Sequence, residues 1–470
     1  MNADQKMDIF IENGKYYDYK SKDFKSANIG IKNGQILLIT SESDIESKIK
    51  IDASGKLVLP GFIDMHVHLR DLELSYKETF LSGTKAAVHG GVTSVVAMPN
   101  TKPPITCPET LQKYLRRANK SLFCNCFFLA GYPYEEMDVL DLKEEGVLGI
   151  KLYMEKSLED YDWGDDSVLR RALMIVFKND LPLFVHPGII HEKEKDGLDH
   201  LALVQEDLSP LKAHSMVHSD EMEARGIERI ISLTSDILQE HPEVKPWIHV
   251  CHLSSRLALE KMQDLHQSSK IRITAEVSPH HLFLSNEEKL DNPVIGKVLQ
   301  PLRAPGDNKA LLDAVRKGMV NVIASDHAPH SKEEKLVAFL DAPSGFPVLD
   351  IYVPLLLTNL RKENVPFERI IECCCENPAS FLKKGNSKGK IEEWYDADLI
   401  IVEKVEPHAI DTNEFYSQSK ISPYEAVGMK LEWIVTDVIV NGDLQLEGKI
   451  FVGQPARRIE LNKKTIIDEN

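Results

Sequence analysis

Several features are missing from this 470-residue sequence. No stretch approaches the roughly 18 consecutive apolar residues of a membrane span, and the first 20 residues lack the apolar core of a secretory signal. The 7 cysteines form an odd total that includes the run Cys373-Cys374-Cys375. In so long a chain that is no disulfide framework, and a reducing, cytoplasmic setting is expected. Positive charge is scarce: 73 acidic against 56 basic residues leave a net −17, which removes electrostatic support for binding nucleic acid or anionic lipid. Internal repeats and low-complexity tracts are absent too. What remains is 43% hydrophobic and 27% charged, the balance of an ordinary globular enzyme. At roughly 150 residues per domain the length suggests about three domains, unless one α/β barrel absorbs most of the chain.

Residues 7–59 carry short β-branched runs punctuated by Asn13-Gly14 and Asn33-Gly34, dipeptides suited to tight hairpins. The same texture returns at 396–402 and 433–440, followed by Asn441-Gly442. Together they predict one small β-sandwich built from both chain ends, residues 1–59 and 385–470. Between them, at 60–384, strand-length apolar runs alternate with amphipathic helical segments. Eight strands are expected, at 62–67, 93–98, 122–129, 147–152, 183–185, 247–250, 271–275 and 320–324. Eight such units, with no Gly-rich phosphate fingerprint after the first strand, predict a (β/α)8 TIM-like barrel over an open doubly wound sheet. A helix is expected from Lys77 to His89, stopped by Gly90-Gly91, and another opening at Pro108. The polar stretch from Pro187 to Asp220 is too long for an ordinary connection and reads as an excursion over the barrel mouth or a long loop.

The first expected strand ends in Asp64-Met-His66-Val-His68-Leu-Arg70, and alternation puts His66, His68 and Arg70 on one face. Such a pair of histidines is weak evidence by itself. Lys151, His186, His252 and Asp326 stand at the ends of the fourth, fifth, sixth and eighth strands, where barrel enzymes build their sites. Taken singly, each has a structural explanation: an ion-paired lysine, or a hydrogen-bonded interior histidine. Jointly, four histidines, a lysine and an aspartate supply N and O ligands for two cations of the Zn²⁺ type. An ammonium cannot ligate, so Lys151 joins such a site only as a carbamate, made by adding CO₂, whose two oxygens bridge the ions.

Five segments resemble dihydroorotases of the amidohydrolase superfamily: 60–70, 91–104, 149–153, 275–281 and 325–330. The resemblance runs from about residue 29 to 453. It implies reversible hydrolysis of the cyclic amide of L-dihydroorotate to N-carbamoyl-L-aspartate, the ring-closing step of pyrimidine biosynthesis when run backwards. It further implies two Zn²⁺ ions bridged by N6-carboxylated Lys151, with His66, His68 and Asp326 on one ion and His186 and His252 on the other. Asp326 would be the general acid/base. Residues matching Arg70, Asn100 and His330 hold the substrate carboxylate in the family, and the loop 342–347, with Pro343 and Gly345, lies near the ring. A water-excluding lid, a homodimer and association with aspartate transcarbamoylase are family expectations as well. His280 and His281 fall in a family motif and are expected to serve structure.

The sequence departs from the family pattern in three places. Asp71-Leu-Glu-Leu74 replaces an acidic residue followed by Pro-Gly. Leu299-Gln-Pro-Leu-Arg303 has Leu299 in place of an Asn that approaches the substrate ring. Pro187-Gly-Ile-Ile-His191 follows His186 where an acidic sequence is usual. Two other functions fit the shared motifs: a dihydropyrimidinase, hydantoinase or allantoinase acting on an uncharged ring, and a non-catalytic assembly homologue. The filled ligand positions weigh against the second.

Overall fold

The computed structural model describes residues 6–188, 208–268 and 270–461. Eight parallel strands form its centre: β1 (Phe62–Val67), β2 (Val92–Ala97), β3 (Asn125–Phe128), β4 (Ile150–Tyr153), β5 (Leu183–His186), β6 (Trp247–Val250), β7 (Arg272–Val277) and β8 (Val322–Ile323). Each lies within an expected segment or overlaps it by most of its length. β1 and β2 are buried at every position, as strands covered on both faces must be.

β3, β2 and β1 pair in that order, and Ala130–Gly131, β4, β5, β6, β7 and β8 form a second run. Main-chain bonds join the two runs. Leu148 N donates to Phe128 O, and His68 N to His327 O, each at 2.8 Å, beside a parallel bridge between Val67 and His327. The result is the expected (β/α)8 barrel. Its interior is filled by Ile63, Met65, Val96, Phe127, Leu148, Phe184 and Val322, with Phe381 among the same cluster.

The first helix begins at Phe80, three residues later than expected, because Thr79 caps it: its hydroxyl accepts from Ser82 N, and Ser82 answers at the Thr79 N–H. The helix from Pro108 to Ala118 starts where its proline predicts. Of the excursion 187–220, residues 189–207 lie outside the described residues. The rest contains the helix Pro210–Val217, which leads to the long helix Asp220–Glu240.

Both chain ends enter one seven-stranded sheet, in which Leu57–Pro60 pairs antiparallel with Leu399–Ala409 and parallel with Lys15–Asp18. A four-stranded sheet (Gln35–Thr40, Asn28–Lys32, Met7–Glu12, Ser47–Asp52) contributes to a shared core that includes Ile9, Ile31, Val58, Leu399 and Ile439. Two Asn-Gly turns have the positive φ their sequence demands: Asn33 and Gly34 at 51° and 82°, Asn441 and Gly442 at 50° and 79°. They touch, and a Cβ on Gly442 would meet Gly34 Cα at 2.5 Å.

A buried polar knot ties this region to the barrel. Lys388 Nζ donates to Asp398 Oδ2 at 2.7 Å and to Asn441 Oδ1 at 3.0 Å. Asn125, the first residue of β3, accepts from Asn441 Nδ2 at 2.7 Å.

Candidate active site

The C-terminal ends of the barrel strands open into a cavity of about 370 Å³, whose walls include His66, His68, Arg70, Asn100, His186, His252 and Asp326. Strand alternation alone does not bring the first two there. Between Asp64 and Val67 the pairing of β1 with β2 shifts register, so three residues of β1 span two of β2. This bulge lets Met65 fill the barrel interior while His66 faces the cavity and Val67 packs outward. His252 and Asp326 follow their strands with φ of 35° and 49°, in the left-handed region that non-glycine residues seldom adopt. Arg70, at 57°, shares that region, so three non-glycine residues of the site have this backbone.

His66, His68 and Asp326 place one ligand atom each within 4.8 Å of one another. His68 Nδ1 donates to Asn100 Oδ1 at 2.6 Å, which leaves the Nε2 lone pair facing Asp326 Oδ1 at 3.2 Å. Burial pushes the His68 pKa down to about 4, so this imidazole is neutral and two acceptors face each other. A cation between them resolves that arrangement. His66 Nδ1 is held by the Glu276 carboxylate, which leaves Nε2 aimed at Asp326 Oδ1, 3.5 Å away. Burial would raise the Asp326 pKa, but the charge of the neighbouring His66 leads the effects that outweigh it and hold the group well below the usual carboxylate range.

His186 Nδ1 lies 2.9 Å from His252 Nε2. Burial holds both rings neutral, His186 at about 3 and His252 well below its ordinary value, which is the ligating form of imidazole. Lys151 is 1% exposed, and its Nζ has no hydrogen-bond partner. A buried, unpartnered ammonium is rare, and a carbamate at this atom would face histidines and cations instead. The donor set therefore fits a pair of divalent cations.

Arg70 also lines the cavity and is buried, with its Nε unpartnered. Behind it stands His330. Lys77 Nζ donates to His330 Nδ1 at 3.2 Å, which fixes the tautomer whose Nε2–H donates to Ser344 O at 2.9 Å. An Arg70 guanidinium nitrogen lies 3.3 Å from the same Nε2. Gly345 lines the cavity with Ser344, and its φ of 118° and a Cβ position 2.6 Å from Ala328 Cβ admit only glycine. His330 and Pro343 stand outside the lining, so the structure separates them from the expected wall residues. Leu299 lies on the wall itself. Both ring nitrogens of His280 are buried without partners, while His281 Nε2 donates to Gln300 O at 3.1 Å.

Sequence reasoning passed over Glu276 and Cys251. Together with His66 they form a second group of ligand-type atoms within 4.8 Å. Glu276 Oε2 also accepts from His249 Nε2 at 3.1 Å, so this carboxylate orients two imidazoles. The available signal was a carboxylate inside an apolar strand, Thr274-Ala-Glu276-Val.

A model of the amidohydrolase family matches residues 57–444. The chain belongs to that family. Among amidohydrolases it is similar to the dihydroorotase of Pyrococcus furiosus, 36% identical over 91% of this chain and 90% of that one. The dihydroorotase of Acetivibrio thermocellus is 30% identical over 94% and 100%, and that of Methanosarcina acetivorans 32% over 89% and 88%. Among solved structures, the L-hydantoinase of Arthrobacter aurescens superposes with a TM-score of 0.86 at 24% identity, covering 97% of this chain and 99% of its own. The dihydropyrimidinase of Brevibacillus agri gives 0.85 at 23%, covering 98% and 99%. At those identities the structures speak for the fold alone. Their superposition over nearly the whole chain shows that this fold, with the (β/α)8 barrel the strand pattern predicts, is shared.

Proposed function

We infer that this amidohydrolase is a dihydroorotase, interconverting L-dihydroorotate and N-carbamoyl-L-aspartate. The observation that carries the reading is Arg70, a buried guanidinium with an unpartnered Nε on the wall that also presents His68 and Asp326. Its planar fork matches a carboxylate, which dihydroorotate has and dihydrouracil or hydantoin lacks. Full-length similarity to dihydroorotases supports the same choice.

The cations are zinc by the character of the donors. His66, His68, carboxylated Lys151 and Asp326 would hold one, and Lys151, His186 and His252 the other. When bound, they lower the pKa of a water and polarise the ring carbonyl. The protein's own groups do the rest. Arg70 binds the substrate carboxylate. Asn100 joins it through Nδ2, because Oδ1 is committed to His68. Asp326 accepts the proton of the attacking water and delivers it to the ring nitrogen as the C–N bond breaks; in synthesis it works in the reverse sense. Leu299 gives the ring an apolar contact where an Asn would give a hydrogen bond. Residues 60–384 would form the catalytic unit, with 1–59 and 385–470 as its β-sandwich companion. Among the described residues no helix is long and apolar enough to cross a membrane. We place the enzyme in the cytoplasm, as a homodimer able to associate with aspartate transcarbamoylase.

The test is hydrolysis by purified protein supplied with zinc and bicarbonate, on dihydroorotate, dihydrouracil and hydantoin. Turnover of dihydroorotate is expected, abolished in Asp326→Ala. In Arg70→Met, kcat/KM should fall about 10²-fold, the scale of a charge-assisted hydrogen bond. Turnover of dihydrouracil with none of dihydroorotate would make the protein a dihydropyrimidinase and cancel the role of Arg70.

A further inference from the structure

The arginine is not the only cation at its end of the cavity. Lys335 and Lys297 are 2% and 8% exposed, among the most deeply buried lysines of the chain. Lys297 Nζ donates to the carbonyls of Phe339, Leu340 and Ala342, at 2.7, 3.1 and 2.7 Å. Lys335 Nζ donates to the carbonyl of Pro343 at 2.7 Å. The next carbonyl, Ser344 O, accepts from His330, and Gly345 N donates to Lys297 O at 2.8 Å. Five of the seven carbonyls from Phe339 to Gly345 thus accept from Lys297, Lys335 or His330, and Ser344 and Gly345 face the cavity.

This arrangement is not what stability alone selects. Burying an ammonium is expensive, and an apolar side chain of similar volume would fill either place at lower cost. Burial, and then the neighbouring Lys297, pulls the Lys335 pKa down to about 7, with Arg70 and Lys77 adding to the effect and Glu334 opposing it. Arg70, Lys77, Lys297 and a Lys335 whose charge is weakened by its neighbours share one end of the site in a protein of net charge −17. Glu334, a carboxylate among them, is engaged by Lys77 at 2.7 Å.

We propose that Lys297 and Lys335 are positioning residues for the anionic part of the substrate: they hold the 339–343 backbone that leads into Ser344 and Gly345 on the wall, and supply a positive field behind Arg70. That field favours a charged ring over a neutral one. The proposal rests on the dihydroorotase reading and extends it to which residues set the preference for an anion.

The experiment compares Lys335→Met, Lys335→Gln and Lys297→Met with wild type in the zinc-loaded enzyme. The KM for dihydroorotate should rise about tenfold in both Met variants, with kcat changed less than about threefold, the pattern of lost uniform binding. Hydrolysis of dihydrouracil, if present, should be unaltered. Calorimetric titration with orotate, an anion that is not hydrolysed, should show the same tenfold weakening, while titration with uracil shows no change. Lys335→Gln keeps a donor without the charge and should fall between wild type and Lys335→Met. Equal losses for charged and neutral ligands would show loop disruption alone and overturn the proposal, as would an unchanged KM and orotate affinity in variants that melt like wild type. Wild-type turnover reports on the dihydroorotase reading, and the variant-to-wild-type ratio reports on the lysines. A wild type that neither hydrolyses dihydroorotate nor binds orotate would overturn both.

Discussion

Glu276 divides its carboxylate between two imidazoles, His66 Nδ1 on one oxygen and His249 Nε2 on the other. Coulombic attraction from His66 and the bond from His249 overcome burial and keep it ionised, its pKa well below the ordinary value. An ionised acceptor on Nδ1 fixes the ring and enriches Nε2 as a ligand. Glu276→Gln should therefore weaken zinc binding by about 10–100-fold, the usual scale for losing such an orienting partner. Competition with a chromophoric chelator measures it, and an unchanged zinc affinity would leave Glu276 with a purely structural role. At this scale the sequence was informative wherever chemistry sits at a strand end: His66, His68, His186, His252, Arg70, Asn100 and Asp326 all reach one cavity. It was silent on partners brought from elsewhere in the chain. Nothing local in Glu276 announces His66, 210 positions away. The bulge that turns His66 inward depends on pairing with β2, which β1 does not encode by itself.

Among the elements, the helix Asp220–Glu240 is anchored to the mouth of the barrel by one side chain. Glu223 accepts from Ser254 N at 2.8 Å, Ser254 Oγ at 2.7 Å and Ser255 Oγ at 2.8 Å. Arg303 stands 3.6 Å from the same carboxylate and reaches Ser254 Oγ and the Ser215 carbonyl. His252 lies two residues before Ser254, so this network braces the segment that carries a proposed metal ligand. Glu223→Ala leaves a buried guanidinium without its countercharge and should lower unfolding free energy by about 3–5 kcal/mol. Chemical denaturation is the measurement, and a loss under about 1 kcal/mol would show that Arg303 finds water or another acceptor. One helix start was legible, at Pro108, while the Thr79 cap set the other three residues beyond its expected start at Lys77. The role of Arg303 in the departing segment 299–303 was not legible, since its partners come from the helix and from the turn after β6.

Over the whole molecule, the polar knot of Lys388, Asp398, Asn441 and Asn125 couples the composite sheet to the barrel. Burial opposes the charge on Lys388, but Asp398 and Asp396 raise its pKa and keep it an ammonium. Lys388→Met strands Asp398 in a dry contact between the two layers, and stability should fall by about 3–5 kcal/mol. Calorimetry should show a lower Tm, and an unaltered Tm would mean the layers hold together without the knot. The barrel was readable because βα alternation repeats along the chain. The β-sandwich was readable because Asn-Gly turns mark hairpins at both ends. Its strand pairing was not, for Leu57–Pro60 meets a partner that begins only at Leu399. That pairing also bears on how the protein is made. Ribosomes add about 5–20 residues per second, so roughly 340 residues of further synthesis leave the Leu57–Pro60 strand waiting on the order of 20–70 s. Through that interval a nascent chain exposes an apolar edge next to the first barrel strand, and the time at which a chaperone is needed is written into the chain's connectivity.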